Sequence, residues 1–443
     1  MKKLATVLLA AGMVLSASAP ASAVDVKVDG QHQFTFDTTS TGFNGANTEL
    51  AKQRLRLGLS MAASENLSGY VQFQMLNDRQ FGQADGTHGD NNTTVRQMYI
   101  DWIIPGTSAQ VRMGRHLFGL PADAFGCNSV MDAGWGSRDG IVVTSPVNDW
   151  LGLTALWSRE GYAPDADGKH DLDKNTSNDM YAVVADLKFE GVEASVYGAY
   201  ATLDDNWKDE AGEIVRKNTF VGADGLPLYA GKAWWLGATS TFSMFDPFTF
   251  KLSAAYGKYV ADDAKSEDTK GWNVQAKASY AMSFGSPVLG AFYFSGDDKD
   301  EKGTMPAVGG YFTPTRTLHD AAFAMGGGQC WYLPSGNWGV QAGIEGVSFL
   351  KDLSHDFLIT YMQGTNDKAN ASNTDASYMT EEDSLVSFDF ISTYQIYKNF
   401  VACLELSYII NDYDSSIRAK DAEGKSVFTE DDWRAALNFQ YKF

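Results

Sequence analysis

The chain has 443 residues and a formal net charge of −20 at pH 7, with 55 acidic against 35 basic side chains. So acidic a chain is repelled by nucleic acid, and the sequence contains no basic stretch that would form a binding groove for it. Its three cysteines are too few and too scattered for a disulfide framework or a Cys-x-x-Cys metal site, although a bond between Cys127 and Cys330, in two predicted loops, stays open.

The first 23 residues have the features of a secretory signal peptide. Lys2 and Lys3 precede an apolar run, and Ala21-Ser22-Ala23 supply the small residues of a cleavage site. The run is too short to span a membrane as a helix, and no later stretch reaches the roughly 18 uninterrupted apolar residues that such a helix needs. Residues 24–443 are therefore expected to form a single domain outside the cytoplasm.

Alternation of apolar and polar residues recurs along this domain. In RLRLGLSMAA, for example, Leu55 and Leu57 alternate with Arg54 and Arg56. Because successive side chains of a strand point to opposite faces, each such segment predicts a strand with one apolar and one polar face. No segment shows a convincing helical period. The same alternation occurs at residues 248–256, 272–284, 400–410 and 433–443.

The predicted connections alternate strictly between short turns, such as SENLS and FDP, and long loops rich in Asp, Glu, Gly and Asn. Under that rule the chain contains about eighteen strands, at about 23 residues each, which suits a transmembrane strand with half a turn and half a loop. Sixteen is the alternative if the weak segments around Ile141 and Trp338 are miscounted. An even number places both termini at the short-turn end.

These strands predict an all-β fold, a transmembrane antiparallel β-barrel. A soluble β-sandwich or a secreted β-rich enzyme shows the same alternation, but neither suits so many long strands without a linker. Trp272 and Phe284 lie about one membrane band apart on one face, as the aromatic girdles of a barrel do. The polar faces, rich in Gln, Arg, Lys and Ser, would be costly in a dry core. Closure removes the strand edges that hydrocarbon cannot satisfy.

The loop at 117–139, after the fifth predicted strand, differs from the other long loops. It carries only three acids, whereas its neighbours contain runs such as DDNWKDEAGE and DDKDEKG. A loop of this composition is expected to pack against another part of the protein. Its large apolar residues are Phe118, Leu120, Phe125, Val130 and Trp135.

The signal peptide, the strand VRMGRH, the loop after it and the terminal Phe443 resemble the trimeric outer-membrane porins. The segments QRLRLGLSMAASENLSGYVQFQM and RQMYIDWIIPGTSAQVRMGRH look most like porins of anaerobic sulfate-reducing bacteria. The resemblance implies a homotrimer in the outer membrane of a Gram-negative bacterium, with a water-filled channel for passive diffusion of small hydrophilic solutes and ions. It also implies that the long third loop folds into the lumen and narrows it. The family's PEFGG loop sequence is absent.

The resemblance also assigns the charged residues of the constriction. Acids of the third loop would face basic side chains on the opposite wall, and the resulting transverse field would orient dipolar solutes and set ion preference. Any one of the arginines has the alternative of pairing with a lipid phosphate or a loop acid. The loop would be anchored by Arg115 and Arg138. The constriction residues are Asp123 and Asp132 on the acidic side and Arg54, Arg56, Arg112 and His116 on the basic side.

Partners and cofactors follow from the same features. A last strand that ends in Phe443 resembles the signal that outer-membrane proteins present to the barrel assembly machinery. No cofactor is expected. The acidic outer loops have two interpretations: they keep the water-facing end of the barrel soluble, or they bind Ca²⁺ or Mg²⁺ ions that bridge them to lipopolysaccharide. There is no Gly-x-Ser-x-Gly, His-Glu-x-x-His or P-loop, so the sequence predicts a channel and not an enzyme. A substrate-selective channel for a sugar or an organic acid is the alternative.

Overall fold

The computed structural model describes residues 24–41, 46–81, 93–133, 136–162, 177–203, 220–221, 230–262, 267–310, 312, 314, 336–370, 378–417 and 431–443. The predicted signal peptide, Trp135, Cys330 and most of the acidic outer loops lie outside these residues, so the pairing of Cys127 with Cys330 stays open. Within them, no helix has both the length and the apolar character to cross a membrane.

Eighteen strands form one antiparallel sheet. The first nine are β1 (Asp25–Thr41), β2 (Ala46–Ser64), β3 (Leu67–Gln80), β4 (Thr93–Ile103), β5 (Gln110–His116), β6 (Arg138–Asn148), β7 (Leu151–Tyr162), β8 (Ser177–Phe189) and β9 (Val192–Leu203). The others are β11 (Gly231–Phe245), β12 (Phe248–Ala261), β13 (Thr269–Tyr280), β14 (Ser286–Phe294), β16 (Asn337–Leu350), β17 (Leu353–Gly364), β18 (Ser384–Tyr397), β19 (Phe400–Asp412) and β20 (Asp432–Lys442). Two short strands, β10 (Phe220–Val221) and β15 (Ala307–Val308), pair with each other, and a 3-10 turn spans Lys368–Asn370.

The sheet closes into a barrel because β1 pairs with β2 on one side and with β20 on the other. The predicted eighteen-stranded barrel is confirmed, and sixteen strands is not the count. The start of β1 and the end of β20 lie at the short-turn end, where Gly30 and Phe443 exchange backbone hydrogen bonds of 2.9 and 3.0 Å. The Phe443 ring lies so close to Gly30 that a Cβ there would sit 2.2 Å from the ring. The last residue thereby helps to close the seam.

The outer face of the barrel is apolar, as the alternation predicts. On β13, Trp272 and Val274 point outward, whereas Asn273 and Gln275 point inward and are buried. Because lipid cannot satisfy polar groups, polar side chains in the hydrocarbon region belong to the inner phase of the strands.

The lumen is filled on one side by loops. Two long connections, L3 (residues 117–137, between β5 and β6) and L7 (residues 295–336, between β14 and β16), contribute to a hydrophobic core against the inner faces of β7 to β12. The expectation that the inner phase is polar therefore fails over this half of the barrel, because the loops exclude water from it. The core includes Phe118, Leu120, Val130, Met131, Met305 and Val308 from the loops, and Leu156, Met180, Tyr197, Trp235 and Tyr259 from the strands.

The loop-narrowed lumen as the candidate functional site

L3 crosses the barrel from β5 to the far wall. It leaves β5 and contacts β11, β12, β13 and β14, of which β13 is seven strands around the ring from β5. The predicted fold of the third loop into the lumen is therefore confirmed. The hydrogen bonds that hold it there run from Thr239 to the Ala122 carbonyl (3.0 Å), from the Ala124 N–H to Ser253 (3.0 Å), from Asn273 to Ser129 (3.0 Å) and from Gln275 to Asp123 (3.0 Å).

Both acids of L3 are used to fold the loop itself. The N–H groups of the consecutive residues Asn128 and Ser129 donate to Asp132 at 2.7 Å and to Asp123 at 2.9 Å. Asp123 and Asp132 are buried. This differs from the expected acidic side of an open pore, because the tight turn leaves backbone donors that need acceptors in a site without water.

The environment of Asp123 alters its protonation. Burial raises the pKa of the Asp123 carboxyl from 3.8 to about 6, and the nearby charge of Asp132 adds to the rise. Hydrogen bonds from Ser129 and Gln275 favour the ionised form and limit the rise.

Arg138 ties L3 to L7 at the start of β6. Its Nη1 donates to the carbonyls of Phe118 (3.0 Å) and Asp132 (2.8 Å), and its Nη2 donates to the Val308 carbonyl (3.3 Å). The guanidinium also lies 3.3 Å from Glu160, with both side chains almost fully buried. One arginine thus contacts both ends of L3 and the short strand of L7.

Arg115, the other predicted anchor, lies on the outward phase of β5. Its register partner is Met98, which is exposed on the lipid side. Its guanidinium pairs with Asp139 on β6 at 2.8 Å, and both side chains are about half exposed. The residue borders the exit of L3 and does not project into the lumen.

The two arginines of β2 lie on the inner wall opposite the loop-filled half. Arg54 donates to Gln33 through Nε at 3.0 Å and through Nη2, and Arg56 donates to Gln74 at 2.8 Å. Gln33, like its neighbours in phase on β1, is buried on the inside of the barrel. The position of both arginines agrees with the predicted basic side, and their role in conduction stays a prediction.

Arg112 and His116 both point inward from β5, and each side chain is held by contacts with its neighbours. Arg112 forms two hydrogen bonds of 2.7 Å with Asp101 and lies 4.1 Å from the centre of the Tyr99 ring. His116 is buried against Phe118, with ring centroids 4.5 Å apart, and its Nδ1 lies 3.0 Å from the Gly114 carbonyl. His116 therefore supports the base of L3 and does not line open water.

Two inward arginines of the described strands, Arg96 and Arg434, were not among the predicted residues. Arg96 on β4 donates to Gln72 at 3.0 Å. Arg434 on β20 is almost fully buried between Asp37 (2.8 Å) and Glu405 (3.2 Å), across the seam where the first and last strands meet. The sequence signal for Arg434 is its position in the polar phase of the last strand, and that for Arg96 is a break in alternation, with two polar residues between Val95 and Met98.

A family model described as Gram-negative porin matches residues 5–324, more than half of the chain. The chain belongs to the Gram-negative porin family. As a member, this porin is an outer-membrane channel for small solutes. No curated protein matches its sequence.

Solved structures from Pseudomonas aeruginosa share the porin's fold. The structure of OpdK with vanillate has a TM-score of 0.56 at 12% identity, covering 95% of this chain and 98% of that one. OprD has a TM-score of 0.56 at 13% identity, with coverages of 96% and 95%. OccK2 (OpdF) has a TM-score of 0.57 at 12% identity, with coverages of 95% and 98%.

Proposed function

We propose that the porin forms a water-filled passage for passive diffusion of small hydrophilic solutes and ions, and that it has no catalytic role. The observation that carries the proposal is the course of L3. The loop contacts the inner faces of β11 to β14 and so leaves the partly exposed inner faces of β2 to β5 as the other boundary. A passage bounded on one side by a packed loop and on the other by a polar wall has the form of a narrowed aqueous channel.

The polar wall supports passage of hydrophilic solutes. Its side chains are amides, hydroxyls and guanidinium groups, which can replace part of the hydration shell of a solute. A cavity of about 510 Å³ also lies beneath L3 at the short-turn end, between Pro121 and Ala122 of the loop and Asp186, Ser195 and Thr241 of the wall. Space below the loop lets a solute that has passed it leave the barrel. The half-buried inward polar residues of the wall include Arg54, Arg56, Gln72 and Gln74.

A channel selective for small organic anions is the second candidate. Arg54, Arg56 and Arg96 lie on three positions of the same wall, and guanidinium groups bind carboxylates with two parallel hydrogen bonds. OpdK, a protein of similar fold, has been solved with vanillate, a carboxylate. Phe118 and Phe125 of L3 are aromatic rings that could stack on a sugar, but each is packed in a separate hydrophobic cluster against the wall.

The assembly of the porin belongs to the same proposal. We propose a homotrimer, which would bury part of the lipid-facing wall, with residues 1–23 removed as a signal peptide. The last strand would be the segment presented to the barrel assembly machinery, and the acidic outer loops would face lipopolysaccharide, with Ca²⁺ or Mg²⁺ as bridging ions. The exposed apolar rows of the strands support contact with lipid or with a second copy.

Single-channel recording in a planar bilayer tests the proposal. Purified porin should give stable conductance steps, in groups of three if it is a trimer, and a reversal potential in a KCl gradient should report its ion preference. Titration with benzoate-like acids and with sugars separates the two candidates, since saturable block by one class indicates a selective channel. A correctly folded protein that never conducts would overturn both. The double variant Arg54→Gln/Arg56→Gln should change selectivity, whereas the outward-facing Arg159→Gln should not.

A further inference from the structure

The β3–β4 pair contains a register shift. Gln72 lies opposite Gln97, but the next residue of β3, Phe73, lies opposite Val95. Arg96 is therefore one extra residue on β4. A bulge of this kind adds a residue to one strand and redirects its side chains.

The consequence is that Arg96 faces the lumen. Val95 and Met98 are 42% and 60% exposed on the outer face, although they are three residues apart. In a regular strand, outward residues are separated by an even number of positions. The bulge therefore places Arg96 and Gln97 together on the inner side, where both donate to the same amide oxygen.

Gln72 fixes the position of the Arg96 guanidinium. Its Oε1 accepts hydrogen bonds from Arg96 (3.0 Å) and Gln97 (3.1 Å). Its Nε2 donates to the Tyr70 hydroxyl at 3.1 Å, and that hydroxyl donates to Asp29 at 3.3 Å. Because the Tyr70 hydroxyl donates its own proton to Asp29, it accepts from Gln72, which defines which end of the amide faces Arg96.

The partner of Arg96 is a neutral amide, unlike the carboxylate partners of Arg112 and Arg434. Arg112 is paired with Asp101, and Arg434 with Asp37 and Glu405. Among the residues that the structure describes, none places a carboxylate at ion-pair distance from Arg96. An amide acceptor holds a guanidinium without cancelling its charge, whereas a carboxylate does both.

We propose that Arg96 is a residue that determines the porin's preference for anions, and that Gln72 is its positioning residue. The proposal rests on the proposed function, in which ions pass along this wall. An uncancelled positive charge on the wall of an aqueous passage raises the local concentration of anions and lowers that of cations. The irregularity in β4 is thus the device that adds a fixed charge to the wall.

The test is the reversal potential of single channels in a KCl gradient, compared among variants in the full-length mature porin. Arg96→Gln should lower the ratio of anion to cation permeability about threefold, the scale of one screened charge in water at a few ångströms. Arg96→Lys should retain the ratio. Gln72→Glu should lower it as Arg96→Gln does, because the new carboxylate would pair with Arg96. The control, Arg159→Gln, removes an arginine that pairs with Asp179 on the outward phase and should leave the ratio unchanged.

Only variants that insert and conduct are compared, so loss of folding cannot imitate the effect. Unchanged selectivity in both Arg96→Gln and Gln72→Glu would overturn the proposal, as would an equal shift in the Arg159→Gln control. In either case, if the wild-type porin conducts, the proposed function is not contradicted. A wild type that does not conduct overturns the proposed function, and this inference with it.

Discussion

Phe125 in L3 and Phe292 on β14 meet edge to face, with ring centroids 5.5 Å apart and planes at 88°. L3 leaves the barrel wall at β5, and β14 is eight strands around the ring from it, so this contact joins nearly opposite walls. Gly290, one step along β14 in the same phase, leaves room for the ring, since a Cβ there would lie 2.7 Å from Phe125. The far end of L3 is therefore held by an aromatic contact built into the wall.

Phe125→Ala should loosen this end of L3. The substitution removes the ring contacts with Phe292 and Phe312, and loss of a packed phenylalanine costs on the order of 3 kcal/mol. We expect larger and noisier single-channel currents, because the freed loop no longer holds one width of the passage. Phe357→Ala, at an outward-facing position on β17, is the matched control and should leave the currents unchanged. If Phe125→Ala gives currents as small and as quiet as those of the wild type, this contact does not hold the loop.

The docking of L3 should strengthen as pH falls. Asp123 has a pKa raised from 3.8 to about 6 by burial in the docked loop, so the docked loop binds a proton more tightly than an undocked loop in water. Lowering the pH through about 6 therefore favours docking, and raising it leaves a buried charge. The rise in pKa corresponds to about 3 kcal/mol at most.

Current noise measured between pH 4.5 and pH 8 checks this expectation. Noise from loop movement should be lowest at the acidic end and should increase as pH rises through about 6. Asp123→Asn, which cannot titrate, should abolish the dependence, whereas Asp139→Asn at the exposed pair with Arg115 should retain it. Noise that increases toward acidic pH in the wild type would contradict the assignment.

The barrel could be predicted from the sequence because its causes are local. The alternation in segments such as RLRLGLSMAA and the lengths of the connections together determine the strand number, the end at which the termini lie and the distinct character of L3. The filled half of the lumen could not be predicted in the same way. On β8, Met180, Ala182 and Val184 face inward and Tyr181 and Val183 face outward, so both phases are apolar and alternation is lost.

The site was predicted in part for related reasons. The inward phase of Arg54, Arg56 and Arg112 follows from alternation, which is a property of the strand. Whether Asp123 faces water depends on the path of L3 in three dimensions, and no local pattern contains that path. Arg96 shows the reverse case, since its break in alternation is visible in the sequence but signals a bulge only once the register is known.

Arg434 should contribute to the stability of the seam. It lies between Asp37 on β1 and Glu405 on β19, with all three side chains at least 95% buried. Arg434→Gln removes the cation that lies between two buried carboxylates, a change that costs about 3–5 kcal/mol. The temperature at which detergent-solubilised porin loses its β-sheet circular dichroism should fall clearly. Arg115→Gln breaks a half-exposed pair and should change stability by no more than about 1 kcal/mol. Equal melting of the two variants would mean that the seam does not depend on Arg434.

Arg138 should control the position of L3 and L7 together, because its guanidinium donates to the carbonyls of Phe118, Asp132 and Val308. Arg138→Lys keeps the charge near Glu160 but replaces a planar group of five donors with a single ammonium, which cannot reach three carbonyls in different directions.

We therefore expect Arg138→Lys to behave more like Arg138→Ala than like the wild type, with raised conductance and faster protease cleavage within L3 in both variants. The protease readout separates loop release from a change in pore charge, since only release exposes the L3 backbone. Wild-type conductance and protection in Arg138→Lys would show that the positive charge beside Glu160, and not the set of carbonyl hydrogen bonds, is what holds the loops in the lumen.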